Sequence, residues 1–525
     1  MSDAASTTAG HWHPRANPWL ITLAVMLATF MVVLDTSIAV VALPYIAGNL
    51  GATQDESTWV LTSYLVANAI ILPASTWFSG FFGRKKFLIA CTAIFTVASL
   101  CCGVATSMTA LVAARVLQGI GGGAMQPLSQ AILLESFPPA KRGAATAVFG
   151  MAIVVAPIIG PTLGGWLTDN WSWRWTFYIN LPVGILAVFL MSLVLEDPPW
   201  VHAARGVRFD GLGFGLIALA LGTLQVILDK GQDEDWFGAI WMRWFAVVCL
   251  FCFIGFIVRE LSTSHPLVDL SILKNRNFAV SAVTLALFGM MVYALITLQP
   301  LFLQSLLGYN AFKSGLSVCP RGVGAFCALF MVGALVSRID ARLLAALGFA
   351  VSAVASYMLC RLTLQMSISS VLLPNILAGF GSGLLFVPLT TLSVGTLRQE
   401  QISNASGLQN LIRNTGGSIG LSLVSTFQQR LAQVHQFLLV GNLSPLNPQY
   451  LHRIAVAQSI FEQRFSPVDA MNRARGLIYN TLIQQSNYFS FMNVFFFVAC
   501  LCVFSVFVIL LYEKPRIVHH VSASE

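Results

Sequence analysis

Apolar runs of about 20 residues recur along the chain from near its beginning to near its end. A helix of that length crosses roughly 30 Å of hydrocarbon and satisfies its own backbone hydrogen bonds. Only 10% of the 525 residues are charged, whereas a soluble domain carries about 25%. Alternating segments of ~10 residues, which are typical of membrane β-barrels, do not recur. The sequence therefore predicts an all-α polytopic membrane protein.

The apolar runs divide the chain into fourteen predicted transmembrane spans. They cover residues 18–44, 57–79, 87–107, 109–135, 144–168, 175–195, 211–229, 242–262, 278–305, 315–337, 343–362, 368–396, 402–428 and 486–512. Two pairs of segments, each eight spans apart, resemble each other. They are "GIGGGAMQPLSQAIL" (119–133) with "GFGSGLLFVPLTTL" (379–392), and "FGRKKFLIA" (82–90) with "SRIDARLLAA" (337–346). Parallel repeats indicate a transporter whose substrate site lies between two related halves.

This repeat predicts two six-helix bundles with two extra helices between them. The predicted divisions are an N-terminal tail (1–17), a first bundle (18–195), a linker with the two extra helices (196–276), a second bundle (277–512) that includes an outer loop (429–485), and a C-terminal tail (513–525). The apolar positions of 429–485 are scattered. They predict short helices against the outer face, without an independent core.

The distribution of basic residues predicts that both termini are cytoplasmic. With an even number of spans and the N-terminus inside, most of the 29 Lys and Arg residues fall on the cytoplasmic side. Short cytoplasmic loops carry such an excess in membrane proteins. Topology therefore accounts for the net charge of +8, and we expect no nucleic-acid partner.

One carboxylate, Asp35, lies deep inside a predicted span. Ionisable side chains are costly at this depth and usually mark function. Arg115 lies within a few ångströms of the same depth, given the 1.5 Å rise per helical residue, so the two side chains can share one polar cavity. Two interpretations remain open. The two residues form a permanent ion pair that fixes helix packing, or Asp35 alternates between protonated and ionised states, because burial and a nearby arginine shift its proton affinity in opposite directions.

Other polar side chains inside the predicted spans are candidates for a substrate cavity. They are Tyr64, Asn68, Gln126, Gln130, Gln299, Asn375, Asn410 and Arg413. Each of the first six alone suits an interhelical hydrogen bond equally well. Arg413 and the nearby Asn410 lie on a basic, amide-rich helix, which either lines the cavity or caps carbonyls of a broken neighbouring helix. Arg321 lies near the outer end of a predicted span, where its long side chain is expected to reach the membrane surface.

The stretch "GMAIVVAPIIGPTLGGWL" (150–167) puts two prolines and four glycines into one apolar span. They are Gly150, Pro157, Gly160, Pro161, Gly164 and Gly165. Proline removes a helix hydrogen bond and kinks the chain, while a G-x-x-x-G pair lets a neighbouring helix approach closely. The stretch predicts either a bent, tightly packed helix or a helix that bends during transport.

Four of these stretches resemble motifs of the fourteen-helix drug:proton antiporters of the major facilitator superfamily, the EmrB/QacA type. "LDTSIAVVALP" (34–44) resembles the span-1 motif with its membrane aspartate, and "RVLQGIGGG" (115–123) resembles the span-4 motif whose arginine is implicated in proton coupling. "GRKK" (83–86) is similar to the core of the loop motif, and 150–167 is similar to the span-5 antiporter motif. "LDKGQDEDWFG" (228–238) further resembles the EmrB branch.

One position departs from the family's loop motif. The glycine and the aspartate that precede Gly-Arg in the family correspond here to Thr76 and Gly80. In the family that aspartate helps to latch the outward-open state. We therefore expect the loop motif residues Gly83, Arg84 and Lys85 to act mainly as a topology anchor and a helix-end contact.

The resemblance implies a proton-coupled multidrug efflux antiporter of the bacterial inner membrane. It would export amphipathic, lipophilic and often cationic compounds by alternating access, with Asp35 and Arg115 in proton coupling and the span-5 motif sealing the bundle interface. The alternative is a dedicated exporter of an endogenous metabolite or lipid. Besides membrane lipids, the implied partners are a periplasmic adaptor (EmrA-like) and an outer-membrane channel. The loop 429–485 would serve them as a docking surface, or else act as a cap.

A membrane-embedded enzyme or sensor is disfavoured. It would need a cluster of His, Cys, Ser or carboxylate side chains at membrane depth, and all eight histidines lie outside the predicted spans. The cysteines lack metal-ligand spacing, and no G-x-x-x-x-G-K-[ST] motif exists. We expect no metal, no cofactor and no ATP requirement, so the proton gradient is the predicted driving force.

Overall fold

The computed structural model describes residues 14–197, 210–263, 267–335, 339–395, 397 and 401–513. This part of the chain is helical, with short 3-10 turns at Trp236–Gly238, Leu270–Lys274 and Gly441–Leu443. The helices are α1 (Pro18–Leu50), α2 (Gln54–Phe82), α3 (Arg84–Val104), α4 (Met108–Gly123), α5 (Met125–Ser136), α6 (Pro139–Asn170), α7 (Trp175–Tyr178), α8 (Asn180–Val194), α9 (Gly211–Lys230), α10 (Ile240–Ser262), α11 (Arg276–Ser305), α12 (Ala311–Val318), α13 (Pro320–Leu335), α14 (Ala341–Leu359), α15 (Ser369–Val394), α16 (Ile402–Val440), α17 (Pro448–Glu462) and α18 (Pro467–Ile509).

Local sequence signals explain where the first helices begin and end. Asn17 caps α1 by accepting a hydrogen bond from the backbone of Trp19, and α1 ends at Gly51, whose φ of 64° is left-handed. Thr53 and Glu56 then form a reciprocal capping box at the start of α2. A turn of three residues thus reverses the chain between two long apolar helices.

Twelve segments among the described residues are long and apolar enough to cross a membrane. The predicted spans 109–135 and 402–428 are not among them. The first is broken at Ala124 into α4 and α5, of 16 and 12 residues, where three consecutive glycines precede Pro127. The second forms the first part of α16, which is rich in Asn, Gln, Gly and Ser. The protein is therefore an integral membrane protein, while the count of fourteen spans stays a prediction.

The same close contact occurs in each half of the chain. Gly160 and Gly164 on α6 pack against Ser37 and Ile38 on α1, so closely that a Cβ at Gly160 would lie 2.5 Å from the Cβ of Ser37. In the second half, Gly416 and Gly420 on α16 pack against Ala286 and Met290 on α11. Both are G-x-x-x-G pairs, which allow helix backbones to approach closely. The second pair was not predicted from the sequence.

The two extra helices pack mainly beside the first half and also share a buried cluster with the second half. Helix α9 packs against α2, and α10 packs against α9. Lys230, at the end of α9 and within the EmrB-like stretch, donates a 2.5 Å hydrogen bond to the hydroxyl of Thr58 on α2. The apolar residues of α10 are mostly exposed, as expected for a helix that faces lipid.

The predicted loop 429–485 is a hairpin of long helices. Helices α16 and α18 contain 39 and 43 residues, so they are about 58 and 64 Å long, roughly twice the thickness of the hydrocarbon. Helix α17 lies between them in the chain and packs against α18 through Ile454, Ala457 and Ala474, which form a small buried cluster. The expectation of short helices alone is thus corrected, because both flanking helices continue into this segment.

Candidate functional site

Asp35 lies at the centre of a buried polar network in the first half of the chain. Its Oδ2 accepts a 2.6 Å hydrogen bond from Arg115 Nη1, and its Oδ1 accepts bonds from Gln118 Nε2 (2.9 Å) and Asn180 Nδ2 (2.7 Å). Asp35 is 1% exposed and Arg115 is 0% exposed. The two carboxylate oxygens thus accept from three donors, one of which is a cation.

Arg115 is held on several sides. Its Nε donates to the carbonyl of Val60 (2.9 Å), and its Nη1 also donates to Gln118 Oε1 (2.7 Å). The guanidinium carbon lies 4.4 Å from the ring centroid of Tyr64 and 5.6 Å from that of Phe177. Aromatic faces attract a desolvated cation, so this pocket fixes the arginine as well as neutralising it.

The helix geometry explains how these side chains meet. Arg115 and Gln118 are three residues apart on α4 and therefore share one face. Asn180 is the first residue of α8 and also donates to Ser99 on α3 (3.0 Å). The network thus joins four helices around the carboxylate of α1.

The sequence analysis placed Asp35 and Arg115 at a common depth, and the structure pairs them. It missed Gln118, Asn180 and Ser99. Gln118 had a detectable signal, because it lies one helical turn from Arg115 inside the quoted "RVLQGIGGG". Asn180 begins an apolar helix, which is a weak signal on its own.

A cavity of about 160 Å³ lies between the two halves. Its wall is mostly apolar, with contributions from Val33 on α1, Ile153 and Pro157 on α6, and Phe288 on α11. The polar or charged residues of the wall are Thr36, Ser37, Gln126, Tyr293, Arg321, Ser382 and Arg413. Such a pocket, apolar with a few placed polar groups, is typical of small-molecule sites.

The structure distributes six of the eight predicted cavity residues over this cavity and its surroundings. Gln126 and Arg413 line it. Tyr64 lies against Arg115, and Asn68 lies within 3.5 Å of the Tyr64 hydroxyl. The remaining two of these six, Gln299 and Asn410, accept hydrogen bonds from the arginines that line the cavity.

Gln299 Oε1 accepts a 2.5 Å hydrogen bond from Arg321 Nη2, and Asn410 Oδ1 accepts a 2.7 Å bond from Arg413 Nη2. Asn410 also donates to Gln130 Oε1 (2.9 Å), which joins α16 to α5 across the two halves.

The expectation that Arg321 reaches the membrane surface is wrong. Arg321 is 5% exposed, lines the cavity, and donates also to Asn375 Oδ1 (3.2 Å). Arg321 lies in the first turn of α13, on the side of the helix that faces the cavity, so its side chain stays in the interior. Its position along the predicted span did not reveal which side of the helix it occupies.

The glycine- and proline-rich stretch 150–167 forms part of α6, which contacts both halves. A Cβ at Gly150 would lie 2.7 Å from the ring of Phe386 on α15, so this end of the stretch faces the second half. Pro157 lines the cavity, whereas Gly160 and Gly164 face α1. Both Pro157 and Pro161 lie inside the continuous helix.

The loop motif residues contact helix ends of the first half. Arg84 forms an ion pair with Glu135 at the end of α5, and Lys85 N donates to Asp197 Oδ1 (2.8 Å). Gly83 adopts φ 88° between α2 and α3, close to the Asp197 carboxylate, where a side chain would be strained and crowded. Asp197 thus contacts the motif although Gly80 stands where the family has its aspartate.

Among the described residues, no group of three or more His, Cys, Asp or Glu side chains is arranged to hold a metal ion. The buried pair of Arg115 and Asp35 stabilises charge inside a membrane. Together with the cavity between the two halves, it is typical of a membrane transporter of the two-bundle kind.

The chain belongs to the Major Facilitator Superfamily, whose family model matches residues 25–421. It is 38% identical to the fatty acid resistance protein FarB of Neisseria gonorrhoeae over 89% of this chain and 90% of that protein. It is 37% identical to the multidrug export protein EmrB of Escherichia coli over 91% of each chain. The resemblance to EmrB-type proteins is therefore confirmed, and the protein is a transporter, not an enzyme.

The fold also matches a solved structure. The crystal structure of the human organic anion transporter MFSD10 superposes with a TM-score of 0.57, covering 93% of this chain and 100% of that one at 13% identity. This likeness shows the all-helical superfamily fold.

Proposed function

We propose that the protein is a proton-coupled efflux antiporter that exports amphipathic and lipophilic compounds by alternating access. One observation carries the proposal. Helix α1 holds the buried Asp35 network on one face, while the next two residues, Thr36 and Ser37, line the cavity between the halves. A change in the protonation of Asp35 therefore acts on the helix that also forms the substrate cavity.

The hydrogen bonds around Asp35 suggest how coupling works. The ionised carboxylate accepts three hydrogen bonds and neutralises Arg115. A proton on Asp35 would remove one acceptor position and the charge attraction that holds Arg115. The conformation that takes up a proton must separate Asp35 from Arg115, and that separation would move α1 relative to α4.

Helix α6 supplies the mechanical connection in this proposal. It packs on α1 through Gly160 and Gly164 and on the second half through Gly150. Two internal prolines leave backbone carbonyls without helix partners and allow bending between these contacts. We infer that α6 transmits the movement of α1 to the bundle interface and closes that interface against proton leak.

The remaining parts of the proposal follow the topology. We propose fourteen spans, with the broken pair α4–α5 and the first part of α16 crossing the membrane, and both termini in the cytoplasm of a bacterial cell. The hairpin 429–485 then extends into the periplasm. There it is placed to meet a periplasmic adaptor (EmrA-like) that leads to an outer-membrane channel.

A dedicated exporter of one metabolite or lipid is the alternative proposal. The relatives support both, since EmrB is named for multidrug export and FarB for fatty acid resistance. A competition experiment distinguishes the two proposals. If one compound outcompetes all others for transport, the dedicated exporter is favoured.

The test uses purified protein in proteoliposomes, with radiolabelled tetraphenylphosphonium and dodecanoate as probes. Wild type should accumulate at least one probe when a pH gradient is imposed, and a protonophore should abolish this. Asp35→Asn mimics the protonated acid, so it should lose gradient-driven accumulation at least tenfold and still exchange labelled for unlabelled probe without a gradient.

A matched control is Asp210→Asn, at the start of α9. Asp210 pairs with a partly exposed Arg259, and asparagine caps a helix as well as aspartate does, so transport should equal that of wild type. Normal gradient-driven transport by Asp35→Asn contradicts the proton-site assignment. Failure of wild type to move either probe contradicts broad proton-driven export.

A further inference from the structure

The charges of the cavity wall are all of one sign. Among the described residues, the wall contains two ionisable groups with a permanent charge, Arg321 and Arg413, and no Asp or Glu. Asp35 belongs to the same region of α1, but its carboxylate is fully engaged by Arg115, Gln118 and Asn180. The cavity is therefore electropositive.

The two cavity arginines differ from the other buried arginines of the described chain. Four arginines are at most 9% exposed, namely Arg84, Arg115, Arg321 and Arg413. Arg84 pairs with Glu135 and Arg115 with Asp35. Arg321 and Arg413 form no ion pair with any described residue, and the acceptors that they contact are neutral amides.

Donors near Arg321 also remain unused. Arg321 Nε and Gln299 Nε2 are buried and have no acceptor among the described residues. A buried donor without a partner is destabilising, and more so when it is charged. Two guanidinium groups without counter-ions, of which Arg321 also has unused donors, suit a site for a negatively charged group.

The rest of the wall constrains the body of the ligand. Phe288, Met291, Leu295 and Phe386 present aliphatic and aromatic surface to the same cavity. Burial of alkyl carbon there favours binding in proportion to the apolar area removed from water. The ligand that matches both parts has one anionic head and an apolar tail.

The geometry points to an anion-selective substrate site, in which Arg321 and Arg413 bind the carboxylate head of a single-tailed amphiphile. This inference rests on the proposed export function and names the substrate class of the same cavity. It replaces the expectation of cationic compounds, because a cation would enter a wall that already carries two unneutralised positive charges.

The packing around Arg413 shows that its position is built into the fold. Gly289 on α11 lies against the backbone carbonyl of Arg413, and Gly417 lies against the ring of Tyr293, which also lines the cavity. These contacts hold α16 close to α11. A fixed arginine of this kind loses little freedom when it binds an anion.

The test measures equilibrium binding to protein in lipid nanodiscs, without any pH gradient. Three probes share one tail and differ in the head: dodecanoate, dodecanol and dodecyltrimethylammonium, each corrected for partition into empty nanodiscs. Dodecanoate should bind at least tenfold more tightly than dodecyltrimethylammonium, with dodecanol between them. Equal or tighter binding of the cation would overturn the inference.

Variants identify the residues. Arg321→Gln and Arg413→Gln should each weaken dodecanoate binding about tenfold or more and leave dodecanol binding within about twofold, since a charge-assisted hydrogen bond contributes about 1.5–3 kcal/mol. Arg321→Lys and Arg413→Lys keep the charge and should retain part of the preference for the anion. Arg361→Gln, an exposed arginine near Tyr357, is the matched control and should bind as wild type.

The outcome is separable from that of the export test. If tetraphenylphosphonium is exported under a pH gradient but dodecanoate binds no better than the cation, the export function stands and anion selectivity is wrong. If dodecanoate binds as expected but Asp35→Asn still couples transport to protons, the anion site stands and the proton-site assignment is wrong. Unchanged dodecanoate binding by both glutamine variants would overturn the inference by itself.

Discussion

Arg115→Met should be among the most destabilising single substitutions in the first half of the protein. It leaves Asp35 as a carboxylate that is 1% exposed and has only amide donors, Gln118 and Asn180. Removal of one partner of a buried ion pair costs about 3–5 kcal/mol, because the other charge stays buried without compensation. Methionine also loses the hydrogen bond to Val60 and the contact with the Tyr64 ring.

Thermal unfolding of the purified protein measures this effect. The apparent Tm should fall markedly for Arg115→Met and hardly at all for Arg276→Met, which breaks an ion pair with Glu513 whose side chains are 59% and 60% exposed. Exposed pairs contribute only about 0–1 kcal/mol. Both variants remove an arginine from a pair, so the comparison isolates burial.

A double substitution separates charge from packing. Combining Asp35→Asn with Arg115→Met removes both charges, and part of the lost Tm should return, since an uncharged pair carries no uncompensated ion. If Arg115→Met unfolds at the same temperature as Arg276→Met, the buried pair does not stabilise the bundle. The role of Arg115 would then be confined to transport.

Gly160→Ala should lower both stability and transport although it adds a single methyl group. The new Cβ would lie 2.5 Å from Ser37 Cβ, a distance that forces α6 and α1 apart. Overpacking of this kind typically costs 1–3 kcal/mol. Because the displaced segment of α1 adjoins Asp35 and lines the cavity, gradient-driven transport should fall at least tenfold.

Gly215→Ala is the matched control for this prediction. Gly215 also lies inside a helix, α9, but a Cβ there would meet no atom within 4 Å. Alanine favours a helix by about 1 kcal/mol relative to glycine, so this variant should be unchanged or slightly stabilised. Both substitutions gain the same propensity, and only the contact with α1 differs.

A compensating change completes the test. Ser37→Gly in the Gly160→Ala background removes the atom that collides and should restore much of the transport rate and the apparent Tm. If the double variant stays as impaired as Gly160→Ala alone, the close contact between α6 and α1 is not the cause of the defect. The G-x-x-x-G interpretation would then fail for this pair.

The sequence alone was sufficient for the class of protein and for the central pair. Apolar runs of membrane length predicted an all-helical integral membrane protein, and the family resemblance is confirmed over most of the chain. The shared depth of Asp35 and Arg115 anticipated their contact, because helical rise relates residue number to depth. Gly160 and Gly164 were predicted to admit a close neighbour, and that neighbour is α1.

The tertiary structure decided which side chains meet across helices. Gln118 and Asn180 bind Asp35 from 83 and 145 residues away, and no local pattern encodes such contacts. Arg321 points inward because its face of α13 packs towards the cavity, and α16 continued far beyond its predicted end. Hydrophobicity depends on each segment by itself, so the sequence determines which segments enter the membrane. Which side of a helix points to the interior depends on packing against distant segments. Only the folded chain therefore shows that two arginines without counter-ions lie in one cavity.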